Sequence, residues 1–270
     1  MLSAVLLCTS IAGYALQYVL GSNYPLAGKK DALAETYWAN SSREDIMTKI
    51  RAQYAAEVPV NVFRILVLGS SQTWGAGARL DEDIWVRQLE KLLNETSGGL
   101  RIECINAAVS SLKAEDILRI LQTDLAGIQA SAAIVNLSNN DIETVQFEQN
   151  LDAVVVELRS RNTRTILALE PNSLERKLGD SRHGELRLKH EVVRKVADRH
   201  GLPVIDLHAY LSDHKDDGFI WWDFVHLTSY GQLLVARKLA NDLPQLLNIS
   251  LSPVTSYETD AGRGNAGIGR

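Results

Sequence analysis

The chain has 270 residues, of which 46% are hydrophobic and 23% are charged, and its formal net charge is -5. This length and composition are typical of a globular α/β protein, so we expect one sizeable core and one main domain. The negative charge, with no basic cluster on any predicted helix, argues against nucleic acid as a partner. Cys8 lies in an apolar N-terminal stretch and Cys104 in a predicted buried strand, so a disulfide between them is not expected.

Residues 1–21 contain no charged side chain and are about as long as a bilayer-spanning helix. They predict contact with a membrane, either as an uncleaved transmembrane anchor or as a signal segment that is removed; a helix docked on the domain is the alternative. We therefore expect a membrane-anchored or secreted protein with its main domain outside the cytoplasm. Residues 22–61 are assigned to a linker and a helix at 31–57, and residues 251–270 to a disordered, glycine-rich tail.

Strand and helix patterns alternate through residues 62–250, which we assign to the main domain. Five apolar runs bounded by turn residues predict strands, and helical stretches with one apolar face separate them. The strands are predicted at residues 62–68, 101–106, 132–137, 165–169 and 203–206, and the helices at residues 84–94, 114–128, 143–161, 184–200 and 229–247. This alternation predicts a flavodoxin-like α/β/α sandwich, with a five-stranded parallel sheet between two helical layers.

Polar residues follow the first three predicted strands. They are Ser70 and Ser71, then Ser110 and Ser111, then residues 139–141. The carboxyl ends of parallel strands meet at one edge of the sheet, where α/β proteins place their sites. We expect Ser70 to act as a cap or turn residue and Ser71 to be functional.

The segment Asp223-Phe-Val-His226 supplies a carboxylate and an imidazole three residues apart. A serine hydroxyl becomes a nucleophile when a histidine takes its proton, and a carboxylate holds that histidine in the correct tautomer. Ser71, His226 and Asp223 fit these three roles, which predicts a serine hydrolase. The backbone N–H groups of Ser71 and Ser111 and the side-chain amide of Asn140 are the predicted oxyanion-hole donors, with helix capping as the alternative for Asn140.

Four blocks of this chain resemble, in order, those of the SGNH or GDSL-type hydrolases. They are Gly69-Ser-Ser-Gln-Thr73, Asn106-Ala-Ala-Val-Ser-Ser111, Ser138-Asn-Asn-Asp141 and Asp223-Phe-Val-His-Leu-Thr-Ser-Tyr-Gly231. The resemblance implies an esterase or lipase-like enzyme that needs no cofactor. It also implies the nucleophile, base and acid named above, and the same three oxyanion donors.

Three positions depart from the family pattern. Ser70 stands where the family has Asp, and Ser111 and Ser138 stand where it has Gly. A backbone N–H can donate from serine as well as from glycine, provided that the dihedral angles at residue 111 do not demand glycine. The two Gly-to-Ser replacements leave open a narrowed or inactive site.

The expected reaction is hydrolysis of a carboxylic ester through an acyl-enzyme on Ser71. Trp74, Trp221 and Trp222 flank the site residues in sequence and either line a substrate pocket or pack in the core. The substrate is expected to be a small-molecule, glycan or lipid ester, with O-acetyl groups on a carbohydrate as the first candidate. Acyl transfer at the same site is an alternative.

A non-catalytic phosphate- or nucleotide-binding module of flavodoxin-like fold is the other alternative. The loop of residues 69–77 lacks the lysine of a P-loop and the Gly-x-G-x-x-G spacing of a dinucleotide site. The histidines other than His226 lack the spacing or the cysteine partners of a zinc site, so no metal is expected.

Overall fold

Five parallel strands form the centre of the molecule in a computed structural model, which describes residues 42–173 and 181–249, with the backbone alone at 181–184. The strands lie in the order β2-β1-β3-β4-β5, and every neighbouring pair is parallel. The predicted five-stranded parallel sheet is therefore confirmed. Its strands are β1 (Val62–Gly69), β2 (Arg101–Asn106), β3 (Ala132–Asn136), β4 (Arg164–Leu169) and β5 (Val204–Asp206).

Helices cover both faces of this sheet. The helices are α1 (Arg43–Tyr54), α2 (Ser71–Trp74), α3 (Trp85–Thr96), α4 (Ala114–Gln122), α5 (Thr144–Ser160), α6 (Ser181–His200), α7 (Leu207–Asp213) and α8 (Ser229–Leu246), with a 3-10 turn at Asp81–Asp83. Buried side chains of α1, α4, α5 and α6 form one hydrophobic cluster with one face of the sheet. Those of α3, α7 and α8 form a second cluster with the other face. The predicted α/β/α sandwich is thereby confirmed.

Strand β1 contributes to both clusters because successive side chains of a strand point to opposite faces. Leu66 and Leu68 belong to the first cluster, and Ile65 and Val67 belong to the second. All four side chains are buried. This double burial explains why residues 65–68 of β1 are a continuous apolar run rather than an alternation.

Gly69 ends β1 and lets a helix begin at once. A Cβ atom at this position would lie 2.1 Å from Thr73 Oγ1 and 2.9 Å from the main-chain oxygen of Asn136. Real Cβ atoms do not approach other atoms so closely, so a larger residue would push α2 away from the sheet. The glycine therefore allows Ser71 to stand directly above the strand end.

Two predicted helices differ from the structure. The helix predicted at residues 114–128 ends at Gln122, six residues early, and successive turns follow it. Leu125 and Ile128 continue the helical spacing of apolar residues, yet they enter the core from these turns. Of the helix predicted at 31–57, the structure describes residues 42–57, where α1 ends at Tyr54, three residues early. Residues 31–41 lie outside the described residues.

The predictions for residues 1–21 and 251–270 also lie outside the described residues. Within the described ranges, no helix is long and apolar enough to cross a bilayer. The membrane segment and the location outside the cytoplasm stay predictions. Cys104 is buried and free, and Cys8 lies outside the described residues.

Candidate active site

Ser71 is the first residue of α2, directly after the end of β1. Its side chain is nearly buried, with 8% of its surface exposed. Asn106, the last residue of β2, donates a hydrogen bond from Nδ2 to the main-chain oxygen of Thr73 at 2.9 Å. The ends of two neighbouring strands therefore fix the short helix that presents the serine.

His226 lies between Ser71 and Asp223. Its Nε2 is 2.9 Å from Ser71 Oγ, and its Nδ1 is 2.8 Å from Asp223 Oδ2. These are the hydrogen-bond distances and the order of groups that activate a serine hydroxyl. The structure thus brings together the three residues that the sequence predicts as nucleophile, base and acid.

The loop that carries His226 is a tight turn held by Asp223. Asp223 Oδ1 accepts the N–H groups of Val225 at 2.9 Å and His226 at 2.8 Å. The N–H of Trp222 donates to the main-chain oxygen of His226 at 2.9 Å. Asp223 therefore shapes the turn with one oxygen and orients the imidazole with the other, which explains the spacing of three residues.

Gln72, which the sequence reasoning missed, joins this loop to the nucleophile. Its buried side-chain amide donates to the main-chain oxygen of Pro171 at 2.5 Å and to that of Val225. The amide of a residue next to Ser71 thereby contacts the residue before His226. No pattern in the sequence identifies Gln72, because both of its partners are backbone groups distant in the chain.

The three predicted oxyanion donors lie in the segments that follow β1, β2 and β3. The N–H of Ser71 is at the first position of α2, where helical geometry offers no acceptor. Ser111 has a φ of 65°, in the left-handed region that favours glycine. The Nδ2 of Asn140 donates to the main-chain oxygen of Leu112 at 3.0 Å, which uses one of its two amide hydrogens. Their roles as donors to an oxyanion stay predictions.

Glu170, directly after β4, is fully buried and was also missed. Its Oε1 accepts the hydroxyl of Ser70 at 2.8 Å, and its Oε2 accepts the N–H groups of Ser138 at 2.9 Å and Asn139 at 2.7 Å. Burial raises the pKa of this carboxyl, against the effect of its three hydrogen bonds. A polar residue directly after a predicted strand was the signal used for Ser71, and it would have identified Glu170 too.

The sequence predicts that Ser70 is a cap or turn residue rather than the nucleophile. It occupies the N-cap position of α2, but its side chain makes no capping hydrogen bond and donates to Glu170 instead. Asp141, the residue after Asn140, accepts the first N–H of the preceding helix α4 and so caps that helix. Its Oδ1 and Oδ2 lie 3.2 Å and 3.3 Å from the N–H of Ala114. Burial raises the pKa of Asp141 to about 6.

The three tryptophans proposed to line a pocket are all partly buried. Trp74 ends α2, and Trp221 packs against the second hydrophobic cluster and pairs with Leu227. The side chain of Trp222 lies close to Gly77. Their contact with a substrate stays a prediction.

Within residues 42–173 and 181–249, no three His, Cys, Asp or Glu side chains are grouped to hold a metal ion.

Residues 67–234 match the GDSL-like lipase/acylhydrolase family, over more than half of the chain. The chain belongs to this GDSL-like family. The matched segment contains Ser71, Asp223 and His226, and the resemblance drawn from the four sequence blocks is confirmed. This GDSL-like protein is therefore a serine hydrolase acting on ester bonds, and the match favours neither acyl transfer nor a nucleotide-binding module.

Solved structures of esterases and hydrolases share the fold of this GDSL-like protein. LAE5, an alpha/beta hydrolase from the metagenome of Lake Arreo, Spain, is 17% identical with a TM-score of 0.60, covering 69% of this chain and 95% of its own. The acetyl xylan esterase AlAXEase is 22% identical with a TM-score of 0.58, covering 66% and 98%. Axe2, an acetylxylan esterase from Geobacillus stearothermophilus, is 17% identical with a TM-score of 0.59, covering 71% and 97%. No curated protein matches the sequence.

Proposed function

We propose that this GDSL-like protein hydrolyses a carboxylic ester through an acyl-enzyme on Ser71. The proposal rests on the continuous hydrogen-bond chain from Ser71 Oγ through His226 to Asp223. His226 Nε2 takes the proton of Ser71 as Oγ attacks the carbonyl carbon, and then gives that proton to the departing alcohol. A water molecule next attacks the acyl carbon and loses a proton to His226. The bond from that carbon to Ser71 Oγ then breaks, His226 returns the proton to Oγ, and the acid is released. Asp223 stabilises the imidazolium in both steps.

We propose that the N–H groups of Ser71 and Ser111 and the amide of Asn140 bind the oxyanion of each tetrahedral intermediate. The hydrogen bond from Asn140 to Leu112 supports this arrangement, because it holds the loop after β3 against the loop that carries Ser111. Donors that are fixed before the reaction stabilise the developing charge without further reorganisation. Removal of one such donor typically costs about 3 to 4 kcal/mol of transition-state stabilisation.

We propose an O-acetyl group on a carbohydrate as the first substrate, ahead of lipid and other acyl esters. Trp74, Trp221 and Trp222 lie around the triad in sequence and are partly buried, and flat aromatic rings suit stacking on a sugar. Two of the proteins that share the fold, AlAXEase and Axe2, are acetylxylan esterases.

Hydrolysis of p-nitrophenyl esters of increasing acyl length by the purified full chain tests the mechanism. We expect Ser71→Ala to lower kcat at least about 10³-fold, because the nucleophile is lost. Ser70→Ala, the matched control one residue away, should lower kcat only about three- to tenfold, because Ser70 supports the site without reacting. A Ser71→Ala enzyme as active as the wild type would refute the acyl-enzyme on Ser71.

Release of acetate from an acetylated xylan tests the substrate in parallel. The carbohydrate proposal expects release by the wild type and not by Ser71→Ala. Cleavage of long-chain acyl esters without any release of acetate from the glycan would contradict it and leave the mechanism intact.

A further inference from the structure

Glu170 connects the ends of three strands beneath the site. It stands directly after β4, and its carboxylate reaches Ser70 at the end of β1 at 2.8 Å. The other carboxylate oxygen accepts the N–H groups of Ser138 and Asn139, in the loop after β3, at 2.9 Å and 2.7 Å. The side chain of His190 from α6 meets the main-chain oxygen of Glu170, with Nε2 at 2.9 Å.

Two of the three groups that Glu170 holds directly precede a residue of the proposed machinery. Ser70 precedes Ser71, and Asn139 precedes Asn140. The register of the sheet pairs Gly69 with Asn136, but the residues beyond these strand ends are outside the ladder. The sheet alone therefore does not fix the distance from the nucleophile to the amide, and the buried carboxylate spans that gap.

We propose that Glu170 is a positioning residue that sets the place of the Asn140 amide relative to the Ser71 nucleophile. The inference rests on the proposed function, in which these two residues act on the same carbonyl group. A fully buried carboxyl is costly unless its oxygens are satisfied, so a site needing only packing would be filled by an apolar side chain. Here the three donors come from two different loops, and one group makes all three bonds.

The substitution Glu170→Gln separates hydrogen-bond geometry from charge. The glutamine oxygen can accept both backbone N–H groups, and its amide can donate to the Ser70 hydroxyl, whose oxygen accepts as readily as its hydrogen donates. All three contacts are then kept without a charge. Glu170→Ala removes all three and leaves the two N–H groups without this acceptor.

The test measures kcat and KM of the full chain for p-nitrophenyl acetate, per folded molecule as determined by circular dichroism. We expect Glu170→Ala to lower kcat about 100-fold with KM changed less than about threefold, because oxyanion contacts act on the transition state. We expect Glu170→Gln to restore kcat to within about fivefold of the wild type, since the geometry is kept. A kcat for Glu170→Ala within threefold of the wild type would overturn the proposal.

A glutamine variant as inactive as a folded alanine variant would also overturn it, because the charge and not the geometry would then matter. If the alanine variant does not fold, Ser70→Ala cuts the link to the nucleophile alone, and an unchanged kcat there would count against the proposal. Glu90→Ala is the matched control. The Oε2 of Glu90 accepts the N–H of Cys104 at 2.6 Å, and this contact lies away from the site. The kcat of the Glu90→Ala variant should therefore equal that of the wild type. Activity that persists in Ser71→Ala contradicts the proposed function, whereas an active Glu170→Ala contradicts this inference alone.

Discussion

Ser111 adopts a backbone conformation that explains why the family places glycine there. Its φ of 65° costs a residue with a Cβ atom roughly 1 to 2 kcal/mol relative to the right-handed region. The proposed role of this residue uses its backbone N–H alone. The serine side chain is therefore tolerated rather than required.

Substitution of Ser111 by glycine should raise the free energy of unfolding by up to about 1 kcal/mol, because the relieved strain exceeds the added freedom of the unfolded chain. The kcat for p-nitrophenyl acetate should stay within threefold of the wild type. Urea unfolding and steady-state kinetics measure both. Ser111→Ala is the control, since it keeps the strained Cβ and removes only the hydroxyl. A tenfold loss of kcat in both variants would show that the hydroxyl takes part.

The sequence identifies residues whose partners are side chains at a recognisable spacing. Asp223 and His226 are three residues apart, and Ser71 follows an apolar strand within two residues of its last residue, Gly69. Gln72 escapes detection because its side-chain amide donates to two main-chain oxygens, 99 and 153 residues distant in the sequence. Glu170 has a sequence signal, since it directly follows a predicted strand, but its three partners lie 31 to 100 residues distant and do not show in the sequence. A hydrogen bond to a backbone group needs no particular residue type at the partner position, so neither composition nor spacing reveals it. These contacts become visible only when the topology is known.

At the scale of elements, strands are predicted better than helix ends. The bounds of β2 are those predicted, because turn residues flank a short apolar run. Helix α4 ends early because the buried Leu125 and Ile128 satisfy a helical pattern from non-helical turns. Helix α7 was not predicted, and its N-cap is Asp206, whose side chain accepts the N–H of Ala209. Tertiary packing determines where these helices begin and end, and the periodicity of apolar residues alone does not predict that packing.

Asp141 couples two elements, and its ionisation should make their stability depend on pH. The carboxylate caps α4 from the loop after β3, and burial raises the pKa of Asp141 from 3.8 to about 6. Between these values the folded state binds more protons than the unfolded state. The contribution of Asp141 to the free energy of unfolding is therefore greatest below about pH 4. It falls by on the order of 3 kcal/mol as the pH rises through 6.

The measurement is the free energy of unfolding in urea at several pH values from 4 to 7.5, for the wild type and for Asp141→Asn. Burial lowers the pKa of His190 to about 4, which destabilises the fold as the pH falls through the same range. Both proteins contain His190, so the difference between them isolates Asp141. We expect Asp141→Asn to gain stability relative to the wild type as the pH rises. A difference that is independent of pH would contradict the raised pKa.

At the scale of the whole molecule, the site depends on close contact between two distant parts of the chain. The turn after α2 passes under the loop that carries His226, and Gly77 lies at the contact. A Cβ atom on Gly77 would lie 2.3 Å from the main-chain oxygen of Leu227, the residue after His226. Gly77 also has a φ of 89°, in the region that favours glycine. The nucleophile and the base are held together partly because no side chain separates these two segments.

Substitution of Gly77 by alanine should therefore impair both stability and catalysis. The strained φ costs roughly 1 to 2 kcal/mol, and displacement of the Leu227 carbonyl adds to that cost. A shift of His226 by about 1 Å is expected to lower kcat on the order of 100-fold. Urea unfolding and p-nitrophenyl acetate hydrolysis measure the two effects.

Gly99→Ala provides a control matched in backbone strain. Gly99 has a φ of 105°, and a Cβ atom there would meet nothing within 4 Å. This variant should lose a similar 1 to 2 kcal/mol for the backbone alone and keep the wild-type kcat. Comparing the two variants removes the general effect of lower stability on kcat. Any further loss of kcat in Gly77→Ala is then due to the contact with Leu227. If the two variants have equal kcat values, the contact does not position His226. The hydrogen bond that Gln72 donates to Val225 and the one that Asp223 accepts from the N–H of His226 then suffice to hold the loop.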